Sequence, residues 1–494
     1  SGCLLKVLQL QELRCDVCRI LIYQHNRFQE EIMMRCTWKK AVVIGLIAVL
    51  ASGSMFAKSR KSSKKSSAVS YTKYENLKNP KTGKKWDLGG MKIVVADWWS
   101  PTTPAAPQNA QEEAALAFRN WMEKEYNFKI AQVGIDGWGK HPQTFVNFAT
   151  NGGNENYIFI LYQSSIASPM KAGLCYDLAT LRSLDFSQPK WQQSIKDLTT
   201  FGKHIYGMRV EAPEPRGGVY FNKRMLKEAG IDPESLYTMQ EKGTWTWDAF
   251  EKICAKLTRD TNNDGVIDVY ALTDFTVDFY TSVVASNNAA FIGRDKSGKF
   301  YNATATDNFL EAMNWGYNIL QKYEMPHPKD SKWDYMYAAF INGEAAMQVA
   351  EEYRSGTMKN MKDDYGFVCF PKGPKANDYT NVYNDNIWVI PACYDADKAE
   401  KLAFAFNLYT EPTPGYESVD DWKTGYYANF RDTRAVDDTV ARLRTNGVPW
   451  YHMLVTGISL GDIVYSVGSG GKTPAEQIEA VKNAWQGYID EANK

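Results

Sequence analysis

The loop Asp260-Thr-Asn262-Asn-Asp264-Gly265-Val-Ile-Asp268 holds the most regular array of oxygen-bearing side chains in the chain. Asp260, Asn262, Asp264 and Asp268 are spaced as the ligands of a calcium loop, and Gly265 sits where that loop turns sharply. The twelfth position is Ala271, where a calcium loop of this kind needs a bidentate carboxylate. The four residues are therefore an incomplete metal candidate and, read without metal, an Asx-rich turn. Gly470-Gly471-Lys472-Thr473 resembles the end of a phosphate loop. However, Ser466 stands where its first glycine belongs, and helix capping explains Thr473. The five histidines include no pair with zinc spacing, and no Gly-x-Ser-x-Gly elbow occurs. Glu351 and Glu352 are adjacent, so they need not face each other as a glycosidase pair must. His141 and His204 read as surface or hairpin residues. Cys15 and Cys18 have metal or redox spacing, but no second pair follows them. Nothing in these patterns requires catalysis, a resident metal or a cofactor.

Aromatic rings are the other chemical resource, with 15 Trp and 29 Tyr. Flat rings fill large cores, and they also line carbohydrate-binding clefts; composition alone does not separate the two. What matters is which elements hold them. Residues 91–96 form an apolar strand that ends in Asp97, Trp98 and Trp99. An amphipathic helix over 110–126 and a strand over 128–133 follow, which is the pattern of a parallel sheet. Ligands bind beyond the carboxyl ends of such strands, where the Trp pair stands. A strand over 157–162 ends in Gln163, Ser164 and Ser165. Residues 211–216 (EAPEPR) break regular structure and suit a crossover.

Residues 217–272 then give a strand (219–221), a helix (223–229) capped by Gly230, and a second helix capped by Thr244 or Thr246. That second helix carries Trp247, Phe250, Ile253, Cys254 and Leu257 on one side, and Trp245 and Trp247 read as core. Helices are expected over 306–322, 334–342 and 396–409, with strands over 343–350, 365–370 and 386–390. Thr473-Pro-Ala-Glu476 is a capping box that opens a terminal helix through 489. Residues 422–460 give no clear pattern, and no internal repeat is present.

A chain of 494 residues exceeds a single core and implies two or more lobes. The 57 basic and 57 acidic residues cancel, so nothing pulls the protein towards nucleic acid or an acidic surface. Residues 34–57 have the form of an export signal: a basic start, the apolar run 41–51 and small residues up to Ala57. The apolar run is shorter than the about 20 residues that span a bilayer. Residues 1–33 read as an upstream extension and 58–85 as a disordered basic and polar linker. Cys175, Cys254, Cys369 and Cys393 are expected as free, buried thiols. No cysteine ends the apolar run, so a lipid anchor is not expected. The protein is expected to be soluble and periplasmic.

Taken in order, four segments resemble the extracellular solute-binding proteins of carbohydrate-uptake ABC transporters, the group that includes maltose-binding protein. They are VYFNKRMLKEAGID, TWTWDAFEKICAKLT and DTNNDGVIDVYAL within 219–272; FINGEAAMQV at 340–349; DYGFVCFPKGP at 364–374 with IWVIPA at 387–392; and the helices at 395–409 and 473–491. The resemblance implies an α/β fold, a two-lobed periplasmic-binding-protein type II clamp with hinge crossovers. Lobe 1 would take 86–210 plus 350–410, and lobe 2 would take 218–349 plus 411–494. Crossovers fall near 211–217, 349–352 and 410–414.

The implied function is capture of a sugar or oligosaccharide between the lobes by a monomer, and its delivery to a membrane permease, without catalysis. A secreted carbohydrate-active enzyme, or a sensor or adhesin on the same fold, are the alternatives. A sugar offers an apolar face to a ring and a belt of hydroxyls to planar polar groups. Candidates at strand ends or crossovers are Trp98, Trp99, Gln163, Tyr353, Arg354, Asp385, Asn386 and Trp388. Trp388 fits the cleft or the core equally, and either Trp422 or Trp450 fits as a third ring.

Overall fold

The computed structural model describes residues 69–214, 217–383 and 386–494. The expected upstream extension (1–33), the signal (34–57), the linker run 58–68 and the candidate Asp385 lie outside the described residues.

The strands that frame the molecule are β1 (Met91–Asp97), β2 (Phe128–Gly134), β3 (Asn156–Leu161), β4 (Gly218–Asn222), β5 (Tyr270–Asp274), β6 (Ala345–Ala350), β7 (Tyr365–Cys369), β8 (Asn381–Tyr383), β9 (Ile387–Val389) and β10 (Gly447–Pro449). They build two four-stranded sheets, one per lobe. The first has the order β9-β3-β1-β2, and the second β7-β4-β6-β5. β1 runs parallel to β2 and β3, with Met91 opposite Phe128 and Ile93 opposite Asn156. β9 closes that sheet antiparallel to β3. In the second sheet β4 is antiparallel to both neighbours, and β6 is parallel to β5.

Alternation along β1 and β3 divides the first lobe's apolar residues between two cores. Ile93, Val95, Ile158 and Ile160 join one; Ala96, Phe159 and Leu161 join the other. β4, β6 and β7 are buried along their whole length, as strands covered on both faces must be. They sit in the single large core of the second lobe.

Helices behave as their caps and periodicity dictate. The framing helices are α1 (Ala110–Glu125), α2 (His141–Asn151), α3 (Trp247–Leu257), α4 (Thr276–Ser286), α5 (Asp307–Tyr323), α6 (Ala396–Tyr409), α7 (Gly461–Gly468) and α8 (Pro474–Ala492). Thr246, not Thr244, caps α3 by accepting from Ala249 N, and the expected stripe from Trp247 to Leu257 is buried. Gly230 takes φ +70° after the short helix Lys223–Glu228, the left-handed stop that its position predicts. The capping box at Thr473 and Glu476 forms in both directions. Trp245 donates to Cys369 O at 2.7 Å, and Trp247 stacks on Trp315 at 4.3 Å, so both are core as expected.

Three differences from the expected organisation have tertiary causes. Residues 69–85 are not a free linker: Tyr74 and Trp86 are buried, Trp86 stacks on Phe404 at 4.5 Å, and Leu77 N donates to Tyr126 Oη at 3.0 Å. Residues 350–383 do not return to the first lobe, because β7 pairs with β4 and β8 pairs with β10. The second crossing lies between β8 and β9. The resemblance implied a return to the first lobe at 350, and a strand buried on both faces carries no mark of the sheet it will join, so no local pattern could amend that boundary. Finally, Cys175, Cys254 and Cys369 are buried free thiols, but Cys393 is exposed. Burial pushes the Cys175 thiol up to about 12. No described helix is long and apolar enough to cross a membrane.

Candidate functional site

A cleft of about 930 Å3 opens between the lobes. Trp98, Trp99, Trp138 and Tyr162 line it from the first lobe; Phe275, Asp278, Glu351, Tyr353, Trp450, His452, Met453 and residues 455–461 line it from the second. Glu214 and Asn386 contribute from the crossovers.

The Trp98–Trp99 pair is held from below. Asp97, wholly buried at the end of β1, accepts from Trp99 N at 3.1 Å and Ser100 N at 2.9 Å through Oδ1. Its Oδ2 accepts from Ser100 Oγ at 2.6 Å and Gln132 Nε2 at 2.7 Å. Every lone pair that could pull the carboxylate elsewhere is engaged, so the turn presenting both indoles is fixed. The rings meet edge to face at 4.8 Å and 77°, and Trp98 also packs on His141, whose Nδ1 is 2.5 Å from Asp136 Oδ1. Trp99 is half exposed to the cleft. Trp138, in the loop after β2, is 63% exposed and meets Tyr162 edge to face at 6.3 Å.

On the opposite wall, Tyr353 donates from Oη to Glu351 Oε1 at 3.0 Å. Trp450 Nε1 and Asn386 Oδ1 are buried and have no hydrogen-bond partner among the described residues. The charged side chains among the described lining residues are the carboxylates of Glu214, Asp278 and Glu351. Arg209 approaches Glu214 at 3.6 Å, and Arg354 Nε donates to Glu351 Oε2 at 3.3 Å. His452 also lines the cleft, and burial pushes its imidazole down to about 3, so it is neutral at physiological pH.

Of the sequence candidates, Trp98, Trp99, Tyr353 and Asn386 come together at the cleft. Three do not line it. Gln163 is fully buried behind the wall and donates from Nε2 to Trp450 O at 3.1 Å. Arg354 turns away, with its guanidinium 3.8 Å from the centre of the Tyr337 ring and its Nη2 donating to Tyr337 Oη. Trp388 packs in the first lobe's core, near Phe406 at 6.2 Å and under Arg209 at 5.0 Å. It lies in β9, which edges the sheet rather than facing the cleft. Trp450 is the extra ring at the wall, whereas Trp422 packs under Arg444 on the second lobe.

Sequence reasoning missed Trp138, although it follows the carboxyl end of β2 just as Trp98 follows β1. It also missed Phe275 and the wall formed by His452, Met453 and residues 455–461, which carry no local signal. The calcium-like loop spends its oxygens on itself. Asp260 accepts from Asn263 N and Gly265 N, Asn262 from Asp264 N, Asp264 from Val266 N, and Asp268 from Thr261 N and Oγ1. That is the hydrogen-bonding of an Asx-rich turn.

Residues 99–406 match the family model described as bacterial extracellular solute-binding protein. A curated relative, an uncharacterised ABC transporter extracellular-binding protein of Pyrococcus horikoshii, is 23% identical over 304 residues. The match covers 57% of this chain and 61% of that relative's length. Among solved structures, the GacH receptor of Streptomyces glaucescens, determined unliganded and with acarbose, is 16% identical with a TM-score of 0.55. The alignment covers 81% of this chain and 99% of that one. The cyclic α-maltosyl-1,6-maltose binding protein of Arthrobacter globiformis gives 13% identity and a TM-score of 0.59 over 82% and 100% of the two chains. UgpB of Mycobacterium tuberculosis, in complex with glycerophosphocholine, gives 15% and 0.56 over 82% and 99%. At these identities the structures establish the two-lobed fold, and the family model covers more than half of the sequence. The chain belongs to the bacterial extracellular solute-binding protein family.

Proposed function

We propose that this protein is the exported capture component of an ABC importer, and that it takes a neutral sugar or oligosaccharide between its lobes. The observation that carries this reading is the ring-lined cleft, in which Trp98, Trp99, Trp138 and Tyr162 face Phe275, Tyr353 and Trp450 across one cavity. Rings on both walls match the two apolar faces of a pyranose, and Asn386, Ser164, Ser459 and the carboxylates offer partners for its hydroxyls. The charge of the lining favours a neutral solute. A phosphodiester would face Glu214, Asp278 and Glu351, each of which raises the cost of bringing an anion out of water. The protein acts as a soluble monomer in the periplasm, hands its solute to a membrane permease and does no chemistry on it.

The test is a calorimetric and thermal-shift panel on the full chain, with neutral oligosaccharides, uronates and glycerophosphodiesters. Saturable binding and a raised melting temperature are expected with a neutral saccharide. Binding confined to the anionic solutes, or release of new reducing ends from the saccharide, would overturn the reading.

A further inference from the structure

Trp333 is 68% exposed, more than any other aromatic residue among those described. A single exposed ring needs no explanation, but this one is not isolated. It meets Phe275 edge to face at 6.2 Å and 72°. Phe275 lines the cleft, whereas Trp333 stands outside the lining. Apolar surface therefore runs from the cleft wall to an open ring beyond it, and the first lobe takes no part in that contact. The segment that carries Trp333 is tied down along its length. It leaves α5 and leads into the short helix Tyr335–Asn342. Met325 N donates to Leu272 O at 2.8 Å, which fixes the start of the segment to β5. Pro326 and Pro328 restrict the backbone next to it. Ser331 N donates to Pro328 O at 3.1 Å, Ser331 Oγ lies 3.0 Å from His327 Nδ1, and the His327 ring packs on Tyr335 at 4.3 Å. Tyr335 N donates to Lys332 O at 3.2 Å and closes the turn that presents the indole.

We propose that Trp333 is an outer subsite that carries a sugar unit after the chain has passed Phe275 and left the cleft, so that the preferred solute is a linear oligosaccharide long enough to reach it. This rests on the saccharide reading of the cleft. A flat, open ring suits the C–H face of a pyranose, and the exposed Lys332 and half-buried Asp334 on either side offer a donor and an acceptor to its hydroxyls. Because the turn is already fixed, little conformational freedom is lost when a sugar settles on it. The gain belongs only to chains that extend past Phe275, so Trp333 selects for length and not for the unit held inside the cleft.

Calorimetry on the full chain, with α-1,4- and β-1,4-linked glucose and mannose oligomers from disaccharide to hexasaccharide, tests the subsite. Within the series that binds, affinity is expected to rise about tenfold from the shortest member that binds to the hexasaccharide. Trp333→Ala should cancel that rise, weakening the hexasaccharide about tenfold while leaving the shortest member and the solute-free melting temperature unchanged. Trp333→Phe should restore part of the rise, and Trp99→Ala should weaken every length. An equal loss at all lengths in Trp333→Ala means that the ring only props Phe275, and no loss at any length means that no sugar rests on it. A sedimentation rate of the solute-free protein that changes with Trp333→Ala marks the ring as a contact between copies. Each of these three results overturns the outer subsite and leaves the saccharide reading standing. Failure of the unsubstituted protein to bind any of the oligomers overturns the saccharide reading, and the subsite with it.

Discussion

Trp99 and Trp388 are both indoles set by apolar strands of the first sheet, one just past β1 and one inside β9, and the fold gives them opposite work. Trp99→Ala is expected to weaken saccharide binding about tenfold, or ~1.4 kcal/mol, with little change in melting temperature; calorimetry beside a thermal melt checks both. Trp388→Ala removes a core ring and should instead cost about 3 kcal/mol of stability, read as a lower urea midpoint at unchanged slope.

Titratable groups at the same scale make stability depend on pH in two opposing ways. Burial raises Asp274 and Glu324, Glu324 to about 8, with Asp278 adding to the shift on Asp274 and the Tyr280 and Tyr335 hydroxyls close by. A carboxyl raised in the folded state binds its proton there first, so this contribution is present at low pH and is lost as pH rises from the ordinary carboxylate range to about 8. His452 works the other way. Its folded value is near 3 against 6.5 unfolded, so stability falls as pH drops below 6.5. Glu324→Gln should flatten the alkaline side of the stability profile, and His452→Asn the acid side. Urea midpoints measured from pH 4 to 9 would show a profile unmoved by either change if these assignments fail.

Among the elements, those with complete local signals are the ones whose bounds the sequence located. The helices α3 and α8 have caps that satisfy their first amides, and both begin where the capping residue stands. Thr473→Ala removes the hydroxyl that accepts from Glu476 N, while the backbone N–H at 473 keeps the Glu476 carboxylate; it should cost about 1 kcal/mol, seen as a lower urea midpoint without loss of binding. The stretch 422–460 resisted the same reading for a physical reason. It contains a π-helical segment, Ala435–Val440, in which the hydrogen bonds skip one residue further and the 3.6-residue period is lost. Around it lie short pieces: the helical turn Lys423–Tyr427, strand β10 and the 3-10 turn Tyr451–Leu454. Each is too short to show a period. The strands β4, β6 and β7 were legible as strands but not as neighbours, because apolar residues on both faces suit either sheet.

For the molecule as a whole, the consequence of two lobes is that binding must be read as a property of the closed clamp. A solute bound by both walls should raise the melting temperature with concentration, following its dissociation constant, whereas one held by a single wall would leave the lobes free to move. The cleft brings Trp98, Trp99, Tyr353 and Asn386 together from three separate places in the chain.

The sequence by itself determined the alternation of strands and capped helices, the buried character of Trp245 and Trp247, the turn at Asp260–Asp268 and the position of the Trp98–Trp99 pair beyond a strand. All of these depend on neighbours within a few residues. Only the tertiary structure decided that Trp388 packs inward, that Arg354 turns to Tyr337, that 350–383 stays with the second sheet, and that Trp138, Phe275, 452–453 and 455–461 complete the cleft. Those outcomes depend on which surfaces meet across hundreds of residues, and burial on both faces erases the local pattern that would have announced them.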